Sequence, residues 1–151
     1  MFDALGQWPE IWKDVQQVAI AYLLTAMIGW DREQEAHGTG LRTFPIVGMA
    51  SCGYLLVLGT QPDTAAQSRV LQGLITGIGF VGGGAILKEG ATVRGTATAA
   101  SVWNAGVIGA SVAMGHYGIA VFLALLNLFT LRALLPLKNW IDRKRGPDLP
   151  G

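Results

Sequence analysis

The chain has 151 residues, of which 51% are hydrophobic and only 14% charged, and its formal net charge is +1. That balance is too apolar for an ordinary water-soluble domain, and nothing in it points to nucleic acid. The apolar residues fall into long blocks separated by short charged segments, the pattern of a polytopic membrane protein in which each helix crossing takes roughly 20 mostly apolar residues.

At the start, WPEIWK places Trp8 and Trp12 four apart with Pro9 in the first turn, which suits a short helix lying at the outer membrane interface. The first apolar block, Val15 to Trp30, follows no basic region and ends in no small-residue cleavage pattern, so it is expected to be a retained span. The second, Phe44 to Gly59, holds the lone Cys52, which reads as a small packing residue. The third runs from Val70 to Leu87, the fourth from Ala97 to Met114 and the fifth from Tyr117 to Leu135. None alternates as a barrel strand would, so the expected fold is all-α, a membrane bundle of about five transmembrane helices. The expected layout is an outer interfacial segment over 1–14, a transmembrane domain over 15–137 and a basic cytoplasmic tail over 138–151, anchored by Trp140. Nine of the eleven Lys and Arg, namely Arg32, Arg42, Lys88, Arg94, Arg132, Lys138, Arg143, Lys144 and Arg145, then share one face, leaving Lys13 and Arg69 on the other. This split puts the N-terminus outside and the C-terminus in the cytoplasm.

In the third block, Gly77, Gly79 and Gly82 spell G-x-G-x-x-G. A dinucleotide site needs a strand before that motif, a helix after it and water on the phosphate side, and this uncharged apolar block offers none of them. The glycines are expected instead to let helices approach closely. At about 100° per residue, Gly73, Gly77 and Gly84 share one side and Gly79, Gly82 and Gly83 a nearly opposite one, which makes the third helix the expected centre of the bundle. The alternative is that Gly82 to Gly84 break the helix and expose carbonyls to a cavity.

No Asp or Glu lies inside a block, and Arg132 is near enough to the end of the fifth to snorkel. Asn104 and Asn127 lie at matching depth if the last two spans form a hairpin about Gly115 and His116. They bond either to each other, worth roughly 0.6 to 2 kcal/mol, or each to a nearby carbonyl, with a substrate contact as a third reading.

Charge gathers in DREQEAHGTGLRT and KEGATVRGT, the two loops assigned to the cytoplasmic face. Asp31, Glu33, Glu35 and Glu89 could offer oxygens to Mg²⁺; pairing with Arg32, Arg42, Lys88 and Arg94 to fix helix ends is the preferred reading. His37 and His116 fall on opposite faces and make no metal pair, while Thr43 and Thr96 are placed to cap the helices they precede. With no nucleophile and base, no metal-ligand cluster and no phosphate loop, neither an enzyme nor a cofactor is expected. Activity is expected in the loops, led by Asp31, Arg32, Glu33, Arg42, Lys88, Glu89 and Arg94.

From Ala21 to Leu137, GWDREQEAHGTGLRT and GIGFVGGGAILKEGATVRGTATAASVW resemble the signatures of the MgtC/SapB family of bacterial inner-membrane proteins, with the first-loop arginine pair, the glycine-rich span and the K-E-G and V-R-G turns in order. The resemblance implies a domain of about five spans associated with growth at low magnesium and, in pathogens, survival within macrophages. It implies as partners the bilayer, a further copy of the chain, and another membrane complex such as ATP synthase, whose regulation has been proposed for some members. Longer members add a soluble cytoplasmic domain, which this chain is expected to lack. Ala97 stands where some relatives carry a polar residue, so a role resting on that side chain is not expected to carry over.

Overall fold

A computed structural model describes residues 8–35, 40–59, 64–90 and 92–145. It is an all-α bundle of five helices: α1 (Trp8–Glu35), α2 (Thr43–Leu58), α3 (Thr64–Gly83), α4 (Thr96–Ala113) and α5 (Tyr117–Arg145). A small antiparallel hairpin, β1 (Leu87–Glu89) and β2 (Thr92–Arg94), joins α3 to α4. Each of the five apolar blocks lies mainly on one helix, the third leaving its helix at Gly83, and three of the helices run well past their blocks. The Trp8 and Trp12 turn is not a separate interfacial helix; it continues unbroken into α1, with both indoles exposed. At the far end of α5, Lys144 Nζ lies 3.9 Å from the Trp140 ring centroid.

The centre is α4, not α3. Thr98, Ser101, Ala105, Gly106, Gly109 and Ala110 of α4 are buried, and the helix packs against all four others. Small side chains all around one helix let neighbours close on every side. The closest approach is to α2, where a Cβ on Gly109 would collide with the Gly48 carbonyl, and one on Gly106 with Ile78 of α3. Gly48 is itself pressed against α1, since its Cβ would lie 2.5 Å from Thr25 Oγ1. Val102, Ile108 and Val112 fill the spaces between these contacts, with Ile28, Phe44 and the free thiol Cys52 buried among them.

The expected packing role of the α3 glycines is therefore corrected. A Cβ at Gly73, Gly77, Gly79 or Gly83 would meet nothing within 4 Å, and one at Gly84 would meet only the turn it belongs to. Gly82 alone approaches another helix, at 3.0 Å from the Ala99 carbonyl oxygen. Phe80 and Val81 beside it point away from the bundle. The apolar pattern that continues through Leu87 is also not helical to its end: α3 stops at Gly83, and Gly84, Ala85 and Ile86 form a turn whose N–H groups donate to Phe80, Gly82 and Gly83 carbonyls. The glycine triplet thus ends the helix, because consecutive residues without Cβ favour the turn over helix.

Neither threonine caps its helix. Arg42 occupies the cap position of α2 and Gly95 that of α4, without a side-chain cap bond at either. Gly95 has φ +84 and lies against the Ala85 carbonyl, so the hairpin base requires glycine at the place where a capping side chain would sit.

Much of the outside is apolar, with Val57 89% and Phe80 86% exposed and Leu23, Phe122 and Phe129 also turned outward. Among the described residues, the stretch Tyr117–Leu137 of α5 is long and apolar enough to cross a membrane. The apolar helix α2 has only 16 residues, α1 carries charge at both ends, and glycine dilutes α3.

These contacts predict that Gly109→Leu and Gly48→Leu each lower the folded yield, since overpacking costs about 1–3 kcal/mol even where side chains can yield. Gly77→Leu should leave it near wild type. Size-exclusion profiles of the detergent-extracted variants test this, and a silent Gly109→Leu would contradict the assignment of α4 to the centre.

Candidate functional site: a charged end of the bundle

The antiparallel order brings the end of α1, the start of α2, the hairpin and the end of α5 to one end of the bundle. Asp31 and Arg32 lie in the last turns of α1, and both side chains are buried. Arg32 Nη2 donates to Asp31 Oδ2 at 2.8 Å, and Arg132 Nε of α5 donates to Asp31 Oδ1 at 2.6 Å. Arg132 does not simply snorkel: residues 101 apart are tied through one carboxylate. Two guanidinium groups around one carboxylate leave a net positive environment, which disfavours a divalent cation at Asp31.

Burial by itself pushes the Asp31 carboxyl up, but the hydrogen bonds and charges of Arg32 and Arg132 together outweigh it and hold the group below its ordinary 3.8. A depressed carboxylate contributes stability that is complete above its unfolded value and lost as pH falls through the folded one.

Glu33 is exposed, and its Oε2 accepts from the Leu41 backbone N–H at 3.0 Å, closing the segment between α1 and α2. Gly40 makes that closure possible, since its Cβ would lie 2.6 Å from both Glu33 N and the Gly29 carbonyl oxygen. The following Arg42 is exposed on the first turn of α2. Lys88 and Arg94 are exposed on the hairpin, paired in register with Val93 and Leu87. The side chains of Glu35 and Glu89, and all of His37, lie outside the described residues.

The amides in the bundle do not pair with each other. Asn104 Nδ2 donates to the Leu123 carbonyl at 3.3 Å, and Asn127 Oδ1 accepts from Ser101 Oγ at 2.9 Å. Both bonds cross from α4 to α5, as the matching depth implied, but with different partners. A third amide, Gln17 of α1, was not singled out in the sequence although it is a polar residue in the first block. It is buried, and its Nε2 donates to the Val112 and Ala113 carbonyls at 2.8 and 3.2 Å.

The ion-pair geometry predicts that Asp31→Asn destabilises the protein by about 3–5 kcal/mol, because it leaves buried Arg32 without its carboxylate. Arg132→Gln should cost much less, since that side chain is 66% exposed and screened by solvent. Thermal melts across pH check the assignment: the gap between wild type and Asp31→Asn should narrow as pH falls below 3.8, and a gap independent of pH would contradict it.

The MgtC family profile matches residues 18–140. The chain is 30% identical over 138 residues to the uncharacterized protein slr0014 of Synechocystis, aligning 91% of this chain with 58% of that one. It is 31% identical over 148 residues to Protein MgtC of Brucella abortus, with 93% and 62% covered. To the YhiD protein of Escherichia coli, provisionally named a magnesium transporter, it is 29% identical over 123 residues, with 76% and 57% covered. The chain thus spans about six-tenths of the length of these relatives. No solved structure matches it. On the match over most of its length, the chain belongs to the MgtC family.

Proposed function

We propose that the chain is a non-enzymatic, multi-pass protein of the bacterial inner membrane that modulates a partner membrane complex, or its own oligomer, in ion homeostasis at low magnesium. In this reading all five helices span, with the N-terminus outside and the charged end in the cytoplasm. The observation that carries it is the separation of polar chemistry along the bundle. Arg132 is the only charged side chain inside an apolar block, and it is paired with Asp31. The interior offers amides and hydroxyls, Gln17, Thr25, Ser51, Ser101, Asn104 and Asn127, each bonded across or along helices. A proton-coupled pathway usually runs through acidic or basic groups at membrane depth. The exposed Arg42 and Lys88 instead contribute to a cytoplasmic face that would meet a partner such as ATP synthase. The uncovered glycine face of α3 suits contact with a second copy.

The alternative, a Mg²⁺ transporter or channel, takes its support from the name carried by the Escherichia coli relative.

Growth of the host at limiting magnesium, measured for Glu33→Gln, Arg42→Gln and Arg94→Gln with membrane abundance quantified beside it, tests the proposal. The expected result is impaired growth at normal abundance for Arg42→Gln, Arg94→Gln and Glu33→Gln, since the amide oxygen at position 33 can still accept from the Leu41 N–H. Normal growth at normal abundance for all three would contradict it.

A further inference from the structure

The end of the bundle opposite the charged loops holds a cleft of about 470 Å³, bordered by Lys13 and Gln17 of α1, the last turns of α2 and α4, and Tyr117 at the start of α5. That is the size of a small-molecule site. Its polar groups are of two signs. Two helix C-termini border it, at Leu58 and Gly59 and at Ala113 to Gly115, and the negative ends of their dipoles favour a cation, while the α4 carbonyls of Ala110, Ser111, Val112 and Ala113 already accept from Met114, His116, Gly115 and Gln17. Gln17 adds to this preference. Its amide is 3% exposed, and bonding of Nε2 to two carbonyls fixes which way the group is turned. The oxygen is the atom left over, and it accepts no hydrogen bond from the described residues. The Lys13 ammonium, one turn before Gln17 on α1, and the N-terminal turn of α5 also border the cleft and favour an anion. Leu55, Leu58 and Met114 supply apolar wall, and the exposed indoles of Trp8 and Trp12 stand at the same end of α1.

A simple anion would meet the negative helix ends, and a simple cation would meet Lys13. A zwitterion satisfies both. We propose that this cleft binds a phosphoethanolamine group, with its phosphate on Lys13 and its primary ammonium on the Gln17 oxygen beside the C-terminal ends of α2 and α4. The occupant is an aminophospholipid of the surrounding leaflet, whose acyl chains follow the Leu55 and Leu58 wall. The proposal rests on the membrane reading given above. A choline headgroup has no N–H to donate to Gln17, and a glycerol headgroup has no cation for the negative helix ends, so the site discriminates by chemistry.

The test begins by scoring whether the full chain partitions into membranes; a protein found in the soluble fraction overturns both this site and the membrane reading. Detergent-purified protein is then offered phosphatidylethanolamine, phosphatidylcholine and phosphatidylglycerol of matched acyl chains, and retention is measured by native mass spectrometry. Retention of the ethanolamine lipid should exceed the others by about tenfold, the effect of one charge-assisted hydrogen bond. Lys13→Gln should lower retention of all three lipids, since each carries the phosphate, and Lys13→Arg should keep it, whereas Gln17→Met should abolish the ethanolamine preference, with helicity checked for each. Soluble glycerophosphoethanolamine separates the two sources: weak competition supports an occupant from the bilayer, and competition at equal affinity overturns the lipid as occupant. Equal retention of the three lipids by a membrane-embedded protein, or unchanged retention in a folded Lys13→Gln, would overturn the site while leaving the membrane reading intact.

Discussion

The approach of α4 to α2 at Gly109 and Gly48 sets the spacing on which the other helices depend. With no side chain at either position, the two backbones come into direct contact, and Gly48 in turn lets Thr25 of α1 close on the same level. Thr25 donates its hydroxyl to the Ala21 carbonyl of its own helix at 2.7 Å, and its Oγ1, methyl and Cβ all lie against Gly48. Three helices are thereby fixed at one point without a charged group. The long-range polar contacts follow from that placement. Gln17 reaches the end of α4, Ser101 and Asn104 reach α5, and Asp31 reaches Arg132, each across a helix pair held at a set distance.

The bundle consequently has two unlike ends. At one, a buried carboxylate is shared by two arginines, and the loops around it present further basic groups. At the other, helix C-termini, one buried amide and one lysine border a cleft. Between them the interior is neutral. A carboxylate held between two guanidinium groups serves as a clamp on α1 and α5, because removing the carboxylate takes away the one group that both arginines share. The clamp and the loops are different parts of the same end: Asp31, Arg32 and Arg132 tie α1 to α5, whereas Arg42, Lys88 and Arg94 are exposed on the surrounding segments.

The helices were legible in the sequence because block length and composition mark them, and the family resemblance was legible in the two loop signatures. The central helix was not. Glycine spacing on the third block shows where a backbone can be approached, but not whether a neighbour comes; Phe80 and Val81, large residues among those glycines, mark an outward face. The fourth block, ATAASVWNAGVIGASVAM, carries small residues along most of its length, which is the better signature of a centre. Thr43 and Thr96 matched the capping pattern, yet the tight base of the hairpin demanded Gly95 at the cap of α4. Arg132 could be placed near the membrane boundary from sequence, while its partner 101 residues away required the fold. The cleft was illegible for the same reason, since Lys13, Leu58 and Met114 come together only when α1, α2 and α4 pack.

Under the proposed function, activity resides at the charged end and not in a pathway through the bundle. Cation flux into liposomes carrying the purified protein distinguishes the two, with Mg²⁺ entry followed by an internal indicator against protein-free vesicles. Entry indistinguishable from the protein-free background is expected. Saturable Mg²⁺ entry that is lost on replacing interior polar residues such as Asn104 or Asn127, at unchanged incorporation, would contradict it.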